Sequence, residues 1–279
     1  MHIKKAAIIG KGAVGLLCGS LIARNIGTDA VEYVMDDDRL SRHAEDALTI
    51  NGRPCRIHTV GASIAAEEEP VDLLILAIKA TGLEQALVTM ESCVGPQTRI
   101  ISLLNGITSE EAIAQRFGWE NAVLSVAQGM DAVFIDNALT YTHPGEIRLG
   151  PASATAPGVV DQIADFLACA GISHSVEADI RRRQWVKFML TVGLTHTCMV
   201  FGGTYGSIAA PGEQNRCFIA AMREAIAVAH AEGVDLDEED LVQMVAMVES
   251  LAPAGMPSMA QDRINRKRSE VDQFAGTVI

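Results

Sequence analysis

No run of about 18 consecutive apolar residues occurs in the 279-residue chain, so the sequence offers no candidate membrane span. The amino-terminal MHIKKAAIIGKGAVG sets a basic pair before an apolar stretch. That stretch runs straight into a glycine-rich turn, which argues against a signal peptide. Basic residues are scarce: 22 Lys and Arg face 35 Asp and Glu, for a net charge of −13. Such an acidic balance argues against nonspecific binding to nucleic acid or to an anionic membrane, since both need a cationic surface. Any anionic ligand must be held by a local positive feature. The six cysteines (Cys18, Cys55, Cys93, Cys169, Cys198, Cys217) form no C-x-x-C pair and no Cys/His spacing. No metal site is therefore expected, and reduced thiols in the cytoplasm are. Internal repeats and low-complexity segments are absent as well. What remains, 49% hydrophobic and 20% charged residues, is the composition of a globular enzyme long enough to close a core without disulfides or metal.

The chain reads as two halves, with domains expected at 1–177 and 178–279. In the first, IKKAAIIG, AVEYVM, LLILAI (73–78), RIISLL (99–104) and AVLSVA are β-rich runs. AVGLLCGSLIARNI, GLEQALVTMESC and SEEAIAQRFG between them carry helical periodicity. Near-continuous apolar strands separated by helices predict an α/β fold, a parallel sheet covered on both faces. Asn51-Gly52 predicts a hairpin within residues 47–62, and residues 131–150 predict further short strands. After about Asp179 four helical stretches follow, making the second domain all-helical; the last is expected as a single helix from Ser258 to Gly276. Pro211, Gly212, Gly233 and the PAGMP stretch (253–257) punctuate them. The ending Thr277-Val278-Ile279 carries no stop signal, so that helix is expected to have continued.

Gly10-Lys11-Gly12-Ala13-Val14-Gly15 fits G-x-G-x-x-G between a strand and a helix, the context of a dinucleotide-binding turn. The first glycine permits the tight turn, the second admits pyrophosphate to the backbone, and the third packs helix on strand. The helix amino terminus, with Ala13 and Val14, supplies N–H donors and the positive dipole end that an acidic protein needs. Asp36 lies 21 residues past Gly15, where a carboxylate accepts the ribose hydroxyls of adenosine. The plainer reading of Asp36-Asp37-Asp38 is a solvated acidic loop.

Lys187 is the only formally charged residue between Trp185 and Phe201. With Thr191 and Thr195 it is spaced i, i+4, i+8, one polar stripe along a buried helix. A lysine desolvated in this way tends to a lowered pKa, which suits proton transfer; the competing reading is a snorkelling lysine at a helix edge. In the last stretch, Ser258 with Gln261 reads as a capping box, and Asp262, Arg266 and Glu270 as i,i+4 ion pairs on a solvated face. His143 reads as a strand-end structural residue, His196 as a satisfied core side chain, and Met244, Met247, Met256 and Met259 as core filling.

GKGAVG, LAIKA (76–80), LLNGI (103–107), QWVK (184–187) and SMAQDRINRKRSEVDQFAG (258–276) together resemble the ketopantoate reductase family, in order and over almost the whole chain. The resemblance implies a Rossmann domain that binds NADP and a helical domain that takes a 2-oxo acid. By position, Lys187 matches the catalytic lysine, Glu270 a glutamate near the cofactor ribose and active site, and Ser258 a serine that binds the substrate carboxylate. Lys79, Asn105 and Ala127 fall beside the cofactor. Where the family has asparagines four and eight residues past its lysine, Thr191 and Thr195 stand here, and Tyr205 replaces a further substrate asparagine. Asp36 stands about where the family often has the arginine for a 2′-phosphate, which leans the choice between NADPH and NADH toward NADH. A small 2-oxo acid is the expected partner and a homodimer the expected assembly. A β-hydroxyacid or opine-type dehydrogenase, and a nicotinamide-binding sensor without turnover, are the alternatives.

Overall fold

Each apolar run of the first half becomes a strand whose alternate side chains enter two different cores. The computed structural model describes residues 2–43, 47–264, 266 and 269–279. Its first compact unit, Met1–Ile180, opens with β1 (Ala6–Ile9), α1 (Ala13–Asn25), β2 (Val31–Met35) and α2 (Asp37–His43). Then come the hairpin β3 (Leu48–Ile50) and β4 (Arg53–Cys55), β5 (Thr59–Gly61), α3 (Ala62–Ala65), β6 (Leu73–Leu76) and α4 (Leu83–Met90). β7 (Arg99–Ser102), α5 (Ser109–Phe117) and β8 (Ala122–Met130) lead to the hairpin β9 (Val133–Ile135) and β10 (Ala138–Thr140). β11 (Pro144–Gly150), α6 (Val159–Cys169) and β12 (His174–Val176) complete the unit.

Eight strands form one sheet in the order β12-β11-β8-β7-β6-β1-β2-β5, parallel at every pair except β8 with β11. Ala6 and Ile8 join Leu73 and Ile75 in a core under α1 and α6, whereas Ala7 and Ile9 join Leu74 and Leu76 in a core under α4 and α5. Burial on both faces is why these strands are continuous apolar runs. The order turns back at β1, which has β2 on one side and β6 on the other; such a switch point opens a crevice at the strands' carboxyl ends. Asn51 and Gly52 both have positive φ, 47° and 75°, as a two-residue hairpin turn requires. The two hairpins unite through parallel β3 and β10 into a small second sheet, β4-β3-β10-β9.

In the second unit, Arg181–Ile279, every described secondary-structure element is a helix: α7 (Ile180–Phe201), α8 (Tyr205–Ala209), α9 (Glu213–Ala231), α10 (Glu238–Glu249), α11 (Ser258–Ile264) and α12 (Val271–Val278). Every residue of α7 from Gln184 to Met199 is buried or half-buried. A Cβ on Gly193 would stand 2.6 Å from Met222 Cγ and 2.9 Å from the Phe218 carbonyl, so the glycine lets α9 cross at close range. Asp237 caps α10 by accepting from Glu239 N and Asp240 N, and Arg182 pairs with Asp240 at 2.7 Å. Phe274 docks α12 on α7 through Phe188 (6.5 Å between centroids) and His196 (6.2 Å).

The single helix expected from Ser258 to Gly276 does not form. Arg266 has φ of 52°, a left-handed conformation that no α-helix carries through, and the segment is two helices, α11 and α12. The expected capping box is absent too: Ser258 is the first residue of α11, and Gln261 Nε2 donates to the Met256 carbonyl at 3.0 Å. Among the described residues no helix is long and apolar enough to cross a membrane.

Candidate active site

The three glycines between β1 and α1 differ in what surrounds them. A Cβ on Gly10, whose φ is 122°, would lie 2.1 Å from the Ala77 carbonyl oxygen. One on Gly15 would lie 2.0 Å from the Gly10 carbonyl oxygen. A Cβ on Gly12 would meet nothing within 4 Å. The outer glycines are thus fixed by the packing of turn, helix and β6, while the middle one holds open a bare backbone flank. Gly12 is the N-cap of α1, with Leu16 N bonded to its carbonyl at 2.9 Å, so the amides of Ala13, Val14 and Gly15 lack intrahelical acceptors. No acidic residue occupies the first turn of α1. Open space, unsatisfied N–H donors and a positive helix end are the donor set for a pyrophosphate, and a dinucleotide fits these residues.

The remaining candidates of this unit follow carboxyl ends of parallel strands. Asp36 follows β2, Lys79 follows β6 and Asn105 follows β7. Ile101 pairs with Val123, and Asn105 and Ala127 each stand four residues beyond that rung. Asp36 is half-buried, and its Oδ1 accepts from Arg39 N at 2.8 Å, which caps α2 and leaves Oδ2 outside that bond. Its neighbour Asp37 serves the fold instead, accepting from Ser63 Oγ at 2.9 Å and Ser63 N at 3.3 Å. Lys79 is exposed, Asn105 half-buried and Ala127 buried.

Sequence reasoning missed a buried polar chain at this edge. Ser109 Oγ donates to Glu110 Oε2 at 2.8 Å, so the 2.7 Å contact between Ser102 Oγ and Ser109 Oγ has Ser102 as donor. Ser102 Oγ accepts from Leu104 N at 3.4 Å, and Ser125 Oγ donates to the Ser102 carbonyl at 2.6 Å. Glu110, only 4% exposed, stands in the first turn of α5, where the helix dipole favours a carboxylate. The chain braces the loop that carries Asn105. Its sequence signal, a serine before two glutamates, is shared with any solvent-facing helix start.

In the second unit Lys187, Thr191 and Thr195 lie along α7 as spaced, Lys187 and Thr191 half-buried and Thr195 buried. Thr191 Oγ1 donates to the Lys187 carbonyl at 2.8 Å and Thr195 Oγ1 to the Thr191 carbonyl at 2.5 Å. His196 is satisfied on one side only: Nδ1 bonds the Val192 carbonyl at 2.8 Å, whereas Nε2 is buried with no hydrogen bond. Tyr205 opens α8, its amide bonded to the Gly255 carbonyl at 2.9 Å. Burial pushes its phenol above the usual range, with Cys198 adding to the shift. Ser258 is exposed at the head of α11.

The solvated face expected for Asp262, Arg266 and Glu270 is not there. Asp262 is 7% and Glu270 8% exposed, and the left-handed turn at Arg266 destroys the i,i+4 register. Glu270 is the N-cap of α12, the helix that Phe274 seats on α7. A carboxylate that deep must be compensated, which sets Glu270 apart from a surface ion-pair partner.

Two family models account for nearly the whole chain: Ketopantoate reductase PanE/ApbA over residues 6–154 and Ketopantoate reductase PanE/ApbA C terminal over residues 179–279. The chain belongs to the ketopantoate reductase family. A 2-dehydropantoate 2-reductase of Streptococcus pyogenes serotype M6 is 26% identical over 275 residues, covering 97% of this chain and 89% of that protein. The crystal structure of 2-dehydropantoate 2-reductase from Geobacter metallireducens GS-15 matches with a TM-score of 0.85 at 23% identity, over 98% of this chain and 91% of that one. A D-mandelate dehydrogenase in complex with NADH matches equally, with a TM-score of 0.85 at 23% identity over 98% and 90% of the two chains. Membership in the ketopantoate reductase family supports a nicotinamide-dependent oxidoreductase acting on a small ketoacid.

Proposed function

We propose that the chain reduces a 2-oxo acid to the corresponding 2-hydroxy acid and takes NADH at least as readily as NADPH. The observation that carries this reading is the turn at Gly10, Gly12 and Gly15, with the open flank at Gly12 beside the uncapped amides of α1. Those glycines with Ala13 and Val14 would hold the pyrophosphate. Asp36 would accept the adenosine ribose hydroxyls through the oxygen its capping bond leaves, and Lys79, Asn105 and Ala127 would stand beside the rest of the dinucleotide. Bound nicotinamide supplies the hydride.

Reduction of a ketone places negative charge on its oxygen. Lys187 would polarise that oxygen and deliver the proton, so that hydride and proton together convert the carbonyl to the alcohol. Glu270 would orient the lysine and the ribose, and Ser258 would hold the substrate carboxylate, with Thr191, Thr195 and Tyr205 lining the remainder. Asp36 would weigh against NADPH: at ~4 Å and an effective dielectric of about 20, a like charge costs up to ~4 kcal/mol against a 2′-phosphate, unless Arg39 and Arg42 swing in to neutralise it. The test is a panel of 2-oxo acids assayed for oxidation of NADH and of NADPH. Turnover with at least one acid is expected; none with any acid and either cofactor would leave a nicotinamide-binding protein without this activity.

A further inference from the structure

Thr191 and Thr195 lie one and two turns beyond Lys187 on the same flank of α7. Each hydroxyl has a single proton, and each proton is committed: Thr191 to the Lys187 carbonyl at 2.8 Å, Thr195 to the Thr191 carbonyl at 2.5 Å. A threonine back-bonded to the i−4 carbonyl offers a ligand only oxygen lone pairs and its γ-methyl group. The helical period places Leu194 and Cys198 on this flank as well, 6% and 0% exposed, and neither is a strong donor. Gln184, one turn before Lys187, carries an amide. The flank therefore changes character at the lysine, from amide on one side to methyl and methylene on the other.

This has a consequence for what the lysine's substrate carries beyond its carbonyl. A carboxylate or ketone oxygen accepts only, and these threonines present it no proton. A hydroxyl makes two or three hydrogen bonds in water; along this flank the two threonines can accept its proton but have none to donate to its oxygen. Leaving such a group partly unsatisfied in a buried setting is unfavourable. A hydrocarbon forfeits nothing. We propose that the substrate of the Lys187 site is a 2-oxo acid whose side chain is a hydrocarbon without a hydroxyl group, a proposal that rests on reading Lys187 as the proton donor of a 2-oxo acid reductase.

The test is a pair of substrates with one carbon skeleton. 3,3-Dimethyl-2-oxobutanoate differs from 4-hydroxy-3,3-dimethyl-2-oxobutanoate, which is ketopantoate, by a single hydroxyl. With the whole 279-residue chain and either cofactor, kcat/KM should be at least ~10-fold higher for the hydroxyl-free acid, about 1.4 kcal/mol in favour of the hydrocarbon. Thr191→Asn, which adds an amide that can both donate and accept, should move that ratio ~10-fold toward ketopantoate. Equal or greater kcat/KM for ketopantoate in the unmodified protein would overturn the proposal and leave the reductase reading standing. Reduction of neither compound, nor of any other 2-oxo acid, would overturn both. The comparison on the unmodified protein decides the matter even where the variant does not fold.

Discussion

The phenol of Tyr33, in the middle of β2, donates to the backbone carbonyl of Gly15 at 3.1 Å. The same ring fills the space where a side chain on Gly19 would stand, 2.0 Å from the hydroxyl. Sheet and helix are thereby pinned at the third glycine of the turn, and burial holds the phenol protonated far above its usual range. Tyr33→Phe keeps the ring and deletes this bond, so stability should fall by about 1 kcal/mol in urea denaturation with little change in m. A change indistinguishable from zero would mean that the Gly15 carbonyl is served as well by water.

The three glycines should separate fold from binding. Gly15→Ala forces a Cβ onto the Gly10 carbonyl and should destabilise the protein by several kcal/mol or prevent folding. Gly12→Ala meets nothing, so its melting temperature should stay within a few degrees while dinucleotide affinity falls at least ~10-fold. Titration of cofactor fluorescence measures the affinity. Undiminished binding by Gly12→Ala would show that phosphate does not approach that flank.

Much of this was legible beforehand, for identifiable reasons. β1, β6 and β7 announce themselves because both faces are buried, and Asn51-Gly52 because its chemistry is local. The fate of residues 258–276 was not legible. Asp262, Arg266 and Glu270 have ideal helical spacing, and only the left-handed backbone at Arg266 shows that the spacing is never realised. Short α8 also escaped, since it rests on a reciprocal Thr204–Ser207 cap within a glycine-rich stretch rather than on an apolar face. The threonines were legible as a stripe on α7, but the direction of their protons is a matter of rotamer and needed coordinates.

Lys187→Ala should lower kcat by ~10²–10⁴-fold while leaving cofactor affinity nearly unchanged, because its assigned role is to meet charge that develops in the transition state. Single-turnover kinetics beside cofactor titration would measure both. Retention of more than about a tenth of kcat, a loss under ~1.4 kcal/mol, would remove the lysine from the acid role.

For Asp36 the choice of replacement matters, because its Oδ1 also caps α2. Asp36→Ala deletes cap and charge together, whereas Asp36→Ser keeps a capping oxygen. The serine variant should hold its stability and shift the NADH to NADPH ratio of kcat/KM at least ~10-fold toward NADPH. An unmoved ratio would hand cofactor selection to Arg39 and Arg42 nearby.

The cysteines offer a pH test. Burial pushes the Cys18 and Cys93 thiols up to about 12 and the Cys198 thiol to about 11. The thiolate is the nucleophile, so iodoacetamide at pH 8 should modify exposed Cys169 and Cys217 first and spare those three until the protein unfolds. Their raised values act on stability in one direction. The contribution is complete below about pH 8.5, where the unfolded thiols are protonated, and is lost as pH climbs toward the folded values. Peptide mapping that finds Cys198 among the fast sites would contradict its placement in the core.

The small sheet sets an order of events during folding. Each of its hairpins closes on a two-residue left-handed turn and has only local chain to bring together, a matter of microseconds. Their union is different: Thr49 N reaches the Asn137 carbonyl at 3.0 Å and Asn51 N the Leu139 carbonyl at 2.8 Å, across almost ninety residues that include β6, β7 and β8. That loop cannot close cheaply until the intervening strands are seated. The amides of Thr49 and Asn51 should therefore be the last of the first unit to gain protection in pulsed hydrogen exchange, which makes this sheet the latch that registers completion of the domain rather than a nucleus that begins it.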